Sequence, residues 1–367
     1  MQPQDIQLRL DRAQQGLRSR GLDALLVTPG PDLRYLVGYD AVPLERLTCL
    51  VIPAQGQIRM VVPRLEEPAA RASHAGGADI EIHTWGELDD PFALTARLVG
   101  SVSRIAVDDR MWAEKVLNLR GAMHGVEQVA GGLVMRELRQ RKGPDEIAHL
   151  LEAGAAIDRV HAQVPALLRV GRTEHEVARD IAELIIAEGH VSVDFVIVAA
   201  GPNGASPHHE ASDRVLVAGE PIVIDIGGTM PSGYTSDETR MYCIGEPPAD
   251  FATYYEVLFA AQAAAVAHVR PGVTCESIDA VAREVITDAG YGDYFVHRTG
   301  HGIGMETHEH PYIVAGNTLA LEPGMAFSIE PGIYLPGRHG ARIEDIIICG
   351  EEGAVVVNHR PRELVIA

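Results

Sequence analysis

Two stretches of this chain read as copies of one another. GRTEHEVARDIAELIIAEG begins at Gly171 and GVTCESIDAVAREVITDAG begins at Gly272, 101 positions further on. They have the same length, a glycine at each end, and a threonine placed to cap a helix N-terminus, Thr173 in one and Thr274 in the other. Each follows a longer expected helix, over 145–168 and 249–269. Each leads into an apolar segment expected to be a strand, VDFVIVAA or DYFVHRTG, and then into a histidine cluster, Pro207-His208-His209 or His308-Glu309-His310. Amphipathic helices can look alike by chance, but here the order of what precedes and follows them is shared as well. Two copies are too few for a solenoid. The pattern predicts a duplicated α+β unit with a site where the halves meet.

The remainder of the 367 residues predicts a second domain, since one core rarely serves a chain of this length. A helix is expected over 6–20, followed by strands in DALLVTP, LTCLVIP, IRMVVP and RIAVDD with a helical stretch near 91–99. That alternation predicts a small α/β domain. The charged run RELRQRKGP places the boundary, giving domains at 1–135 and 136–367. Trp85 and Trp112 are expected to be packing residues of the first. The formal charge of −20 leaves no basic footprint for nucleic acid and disfavours an anionic membrane surface. No apolar run is long enough to span a bilayer, and a cytoplasmic protein is the simplest expectation. The four cysteines, Cys49, Cys243, Cys275 and Cys349, have no CxxC spacing. Lysine occurs only at positions 115 and 142.

Acidic residues stand where a core should be. Asp225 interrupts the apolar run Ile222–Ile226, and a turn rich in glycine leads to Asp237, Thr239 and Arg240. Glu330 ends the apolar MAFSIE, and Glu344 sits inside ARIEDIIIC. A buried carboxylate needs a partner, and two brought together repel unless a cation or a shared proton intervenes. Ion pairs of Asp225 with Arg240 and of Glu344 with Arg342 are one reading. The other is a pair of divalent ions held by hard oxygens and an imidazole from HRTGHGIGMETHEHP, with carboxylates bridging the ions around a shared hydroxide. The glycines around His301 would then allow close backbone approach.

The motifs PHH, DIGG…GYTSDETR, HRTGHGIG…THEHP, SIEPGIY and ARIED follow one another in an order that resembles the Xaa-Pro metallopeptidases related to methionine aminopeptidase. The chain is most similar to the short bacterial Xaa-Pro dipeptidases, or prolidases, over essentially its whole length. The resemblance implies an α/β N-terminal domain of creatinase/prolidase type and an α+β catalytic domain of pita-bread fold with an internal pseudo-two-fold repeat. It puts Asp225, Asp237, His301, Glu330 and Glu344 on the five metal-ligand positions, with Asp237 and Glu344 bridging two divalent ions. Mn²⁺ is favoured, with Co²⁺ or Zn²⁺ as alternatives. Glu330 would also move the proton, His308 would stabilise the tetrahedral intermediate, His208 would stand near the substrate, and Tyr334 and Arg342 would line the site. A small peptide substrate and a homodimer are implied.

The gap from Asp225 to Asp237 is one residue longer than the commonest spacing in the family, which leaves the hairpin register open. His209, His297 and His310 are expected to orient other groups. Arg298 and Arg338 would either bind a substrate carboxylate or balance the acidic site. An Xaa-Pro aminopeptidase shares all five ligands, and the short chain favours the dipeptidase. A metal-free hydrolase of creatinase type, or a pita-bread binding module without activity, would be expected to lack some of them.

Overall fold

A computed structural model of the chain describes residues 3–367. The chain divides into two compact units at Arg139/Gln140. In the first, the elements run α1 (Pro3–Ser19), β1 (Ala24–Val27), α2 (Pro31–Val37), β2 (Cys49–Pro53), β3 (Ile58–Pro63), α3 (Glu67–Ala72), β4 (Ile80–Trp85), α4 (Pro91–Val99), β5 (Arg104–Val107), α5 (Ala113–Ala122), β6 (Glu127–Ala130) and α6 (Gly132–Arg139). The six strands form one mixed sheet in the order β4-β3-β2-β1-β5-β6. Its central strands are continuous apolar runs, ALLV and CLVIP, as strands covered on both faces must be. The expected cut at 135/136 would split α6. That helix buries Val134, Met135 and Leu138, and the Leu138 carbonyl accepts from the Tyr35 hydroxyl at 2.9 Å, so it belongs to the first unit. Trp85 is buried and donates to the Leu47 carbonyl, whereas Trp112 is 44% exposed and does not pack as expected.

The second unit carries the repeat. Its elements are α7 (Pro144–Gln163), α8 (Glu174–Ala187), β7 (Ser192–Ala200), β8 (Pro221–Thr229), β9 (Glu238–Cys243), α9 (Ala249–His268), α10 (Cys275–Asp288), β10 (Gly300–Gly302), β11 (Glu309–Ile313), β12 (Ala326–Ile329), β13 (Gly332–Leu335), β14 (His339–Arg342), β15 (Asp345–Cys349), β16 (Ala354–Val356) and β17 (Val365–Ile366). Strands β17-β9-β8-β7 make one sheet, β11-β10-β12-β15-β16 a second, and β13 pairs with β14.

The internal likeness extends to backbone hydrogen bonds. Thr173 and Thr274 each cap a helix of 14 residues, accepting from Glu176 N and Ser277 N. Thr173 bridges Val215, and Thr274 bridges Ala320. Gly171 N donates to Leu216 O, and Gly272 N to Leu321 O. Only one copy has the long strand that follows the second helix. VDFVIVAA is in β7, but DYFVHRTG is a 3₁₀ turn and an irregular segment before β10. Arg283 of α10 explains the difference. Its guanidinium donates to the carbonyls of Phe295 and His297 and lies 4.2 Å from the Phe295 ring, so those carbonyls are engaged by a helix.

Candidate metal centre and active site

Strands β8 and β9 form a hairpin whose register runs unbroken from Pro221↔Cys243 to Ile226↔Glu238 and on to Thr229↔Thr235. The longer spacing between the two aspartates is absorbed in the tight turn closed by Met230 N donating to Tyr234 O. Asp225 pairs with Thr239, which places Asp225, Thr239 and, two residues along, Asp237 on one face. Arg240 is opposite Ile224 and points the other way. The Asp225–Arg240 ion pair considered above therefore does not form. Asp225 Oδ2 is held by Arg342, and Arg240 pairs with Glu238 and Asp345 behind the sheet.

The second sheet supplies the rest. His301 lies on β10, Glu330 follows β12, and Glu344 sits between β14 and β15, joined to β9 by the isolated bridge Thr239↔Glu344. Asp237, His301 and Glu344 bring one ligand atom each to within 4.8 Å of one another, and all three are buried. His301 Nε2 is 3.1 Å from Glu330 Oε1, 3.6 Å from Asp237 Oδ2 and 4.0 Å from Glu344 Oε1. The five expected ligand residues thus converge from both halves of the repeat.

Four carboxylates face this centre, and among the described residues Arg342 is the one guanidinium that pairs with any of them. Burial pushes the Asp237 carboxyl well above the usual carboxylate range, and the charges of Asp225 and Glu330 push it further. Glu344 is raised for the same reasons, burial first and then Asp237, Glu330 and Asp225. Burial also opposes ionisation of Glu330, but the hydrogen bond and charge of His301 outweigh it and hold that carboxyl down at about 2. Asp225 Oδ1 and Glu344 Oε1 are buried without a hydrogen-bond donor among the described residues. His301 Nδ1 lies 3.2 Å from the Gly302 carbonyl, which assigns it the proton. The Nε2 lone pair then faces carboxylate oxygens, an arrangement that needs a cation between them, either a second proton or a metal ion. The donor set, hard oxygens with one imidazole, fits divalent ions of the Mn²⁺, Co²⁺ or Zn²⁺ type.

Residues that the sequence did not single out brace these groups. Thr239 Oγ1 donates to Glu344 Oε2 at 2.7 Å and accepts from Arg342 Nε at 3.1 Å. Ser328 Oγ accepts from His301 N and donates to Glu330 Oε1, both at 3.0 Å. Lys142 Nζ donates to Glu309 Oε1 at 2.6 Å in a buried pair, and Glu309 is in register with Gly302 and adjoins His308. Strand alternation could have found Thr239 and Ser328, since both sit two residues from a ligand. Nothing in the sequence pairs positions 142 and 309.

The remaining expected residues separate into two groups. His308 is exposed, with its ring 3.9 Å from that of His301, and His208 is exposed on the loop after β7. Arg342 and Tyr334 are buried behind the carboxylates. Arg342 donates to Asp225, Thr239, the Pro207 carbonyl and Tyr334, and the Tyr334 hydroxyl also meets His297 Nε2 at 3.0 Å. With its nitrogens so engaged, Arg342 orients Asp225 and has little left for a substrate. His209 meets the buried Glu174 at 2.9 Å, and Arg338 pairs with Asp250.

Close approach of backbone does require glycine beside His301. A Cβ on Gly300 would lie 1.9 Å from the Ser328 carbonyl oxygen, and one on Gly302 would lie 2.4 Å from the His310 carbonyl. Gly300→Ala is expected to destabilise the chain by about 1–3 kcal/mol, towards the upper end because the obstacle is backbone. Gly121→Ala, in α5 with nothing within 4 Å, serves as the control and should be neutral or slightly stabilising. Urea unfolding of both variants in chelator checks this, and equal midpoints would remove the steric argument.

Residues 148–351 match metallopeptidase family M24, and residues 9–141 match the creatinase/prolidase N-terminal domain. This chain belongs to metallopeptidase family M24. The M24 chain is 54% identical to "Probable dipeptidase PepE" of Mycobacterium tuberculosis, across 98% of its own length and 96% of that protein. It is 35% identical to an Xaa-Pro dipeptidase of Lactobacillus helveticus, across 97% and 98% of the two chains. The crystal structure of dipeptidase PepE from Mycobacterium ulcerans superposes with a TM-score of 0.96 at 53% identity, covering 100% of this chain and 99% of that one. The M24 peptidase thus has a creatinase/prolidase-type unit followed along the chain by the pita-bread catalytic fold. Among its described residues, no helix is long and apolar enough to cross a membrane.

Proposed function

We propose that this M24 peptidase hydrolyses Xaa-Pro dipeptides and releases proline, working in the cytoplasm as a homodimer that holds two divalent ions, Mn²⁺ by preference. The observation that carries this reading is the buried cluster of Asp237, His301 and Glu344, flanked by Asp225 and Glu330, in a chain related to an Xaa-Pro dipeptidase. Asp225, Asp237, His301, Glu330 and Glu344 would hold the ions, with Asp237 and Glu344 shared between them. Bound there, the ions supply Lewis acidity toward the scissile carbonyl and make coordinated water acidic enough to react near neutral pH.

The chain's own groups do the rest. The Glu330 carboxylate, kept ionised and oriented by Ser328 Oγ, accepts the proton of the attacking water and delivers it to the proline nitrogen. His308, exposed beside His301, donates a hydrogen bond to the oxyanion of the tetrahedral intermediate, and His208 supports it from the facing loop. Arg342 fixes Asp225, and Thr239 fixes Glu344, so that their remaining oxygens point into the centre.

The test is a paired assay. Protein stripped with chelator is inactive in this reading, and Mn²⁺ restores release of proline from Ala-Pro with little or no cleavage of Ala-Pro-Ala. Tripeptide cleavage at a comparable rate would make the chain an Xaa-Pro aminopeptidase. Bound ions without hydrolysis of either substrate would return it to a pita-bread binding protein.

A further inference from the structure

We infer that Arg298 binds the C-terminal carboxylate of the substrate and makes the peptidase selective for dipeptides. This rests on the Xaa-Pro reading above and deepens it. The guanidinium carbon of Arg298 lies over the Tyr312 ring, 4.2 Å from its centroid. Tyr312 is in register with His301 across β10 and β11, so its side chain stands beside that ligand on the same face of the sheet. Arg298 is half-buried, and its positive charge reaches His308. It is therefore a cationic ledge next to the residues assigned to the reacting carbonyl.

The ledge has no acidic occupant. The chain carries 51 acidic against 31 basic residues, yet Arg298 meets no carboxylate among the described residues. The other candidate arginines are engaged, Arg338 with Asp250 and Arg342 with Asp225. A guanidinium held over a ring without a carboxylate partner has donors to offer, and its planar fork matches a carboxylate with two parallel bonds. In a dipeptide the terminal carboxylate follows the scissile bond by a single residue, about 3.5 Å of chain. A longer peptide puts a neutral amide there, leaving the cation unpaired.

Manganese-loaded wild-type and Arg298→Gln proteins would be compared on Ala-Pro and on Ala-prolinamide, which differ only in that carboxylate. Arg298→Gln should raise KM for Ala-Pro by roughly 10- to 100-fold, the worth of a charge-assisted pair, with kcat little changed. KM for Ala-prolinamide should not move, so the preference between the two substrates collapses. Arg298→Lys keeps the charge without the planar fork and should fall between, and it carries the test if the glutamine variant does not fold. An unchanged KM ratio in a folded, metal-loaded Arg298→Gln protein overturns this inference and leaves the peptidase reading intact. Failure of the wild type to cleave either substrate overturns both.

Discussion

Asp237→Asn should make the metal-free peptidase more stable above pH 6 and leave it unable to retain both ions. The centre gathers Asp225, Asp237, Glu330 and Glu344 around one histidine with a single paired guanidinium. Without ions, Asp237 and Glu344 remain protonated to a pH above the usual carboxylate range, because burial and the charges of the carboxylates around them, Asp225 and Glu330 for both, oppose ionisation. The folded state thus holds protons that the unfolded chain has released. The stability this contributes is full below about pH 4, the ordinary carboxylate pKa, and is lost as pH rises through the raised values. Glu330 has the opposite sign. Held at about 2, its contribution is complete above pH 5 and is lost only as pH falls toward that value, so it adds no slope near neutrality.

The metal-free wild type should therefore melt at progressively lower temperature from pH 5 to pH 8, and Asp237→Asn should flatten that decline. In the presence of Mn²⁺ the order reverses, since ions that displace protons bind more tightly as pH rises and stabilise only the wild type. Activity of the variant should fall by about 1,000-fold or more if Asp237 is shared between two ions as proposed. Thermal unfolding across that pH range with chelator or Mn²⁺, together with metal content after desalting, checks all three. A variant that is less stable than wild type in chelator at every pH would sink the account of the site as a store of like charge.

The second large effect lies on the other face of the same hairpin. Arg240 is 1% exposed and donates to Asp345 Oδ1 at 2.7 Å and to the carbonyls of Glu344, Thr239 and Arg360 at 2.6, 2.9 and 2.8 Å. Burial pushes Glu238 beside it well above the carboxylate range against the pull of the Arg240 charge, and pushes His161 down to about 3. Asp345 shares its other oxygen with Gln262 and Arg362. Arg240→Met removes the charge at near-constant volume and takes the guanidinium donor away from the buried Glu344 carbonyl and Asp345 Oδ1, while the Thr239 carbonyl keeps Glu344 N. The expected loss is about 3–5 kcal/mol, seen as a lower denaturant midpoint. The Glu344 backbone is one of the groups released, so the variant should also bind Mn²⁺ more weakly. A midpoint within about 1 kcal/mol of wild type would mean that water or Arg362 replaces the guanidinium.

Much of the centre was legible because buried carboxylates violate the hydrophobic pattern. Asp225 inside an isoleucine run and Glu344 inside another are conspicuous by their position alone, and the repeat showed that two halves would bring them together. What escaped was pairing. Arg240 is close to Asp225 in sequence order along the hairpin, but register sets it opposite Ile224, and strand alternation turns it away. Register depends on how a turn absorbs its residues, which composition does not reveal. The extended expectation for DYFVHRTG failed for a related reason, since its carbonyls bond Arg283, a partner supplied by tertiary structure. Arg342 was expected on the substrate side and stands behind Asp225, because its hydrogen bonds, and not its residue type, decide its role.

The chain's two lysines have a consequence outside catalysis. Lys142 is enclosed with Glu309, and Lys115 is 3% exposed with its Nζ on the Leu44 carbonyl, while 29 arginines supply the other basic side chains. Every side-chain amine is therefore shielded in the folded state. Succinimidyl esters, aldehydes and acyl donors, which label most proteins across their surface, will find no lysine on this one until it unfolds. Appearance of a modified lysine becomes a direct report of local opening, at position 142 for the strand that carries Glu309 and at position 115 for the first unit.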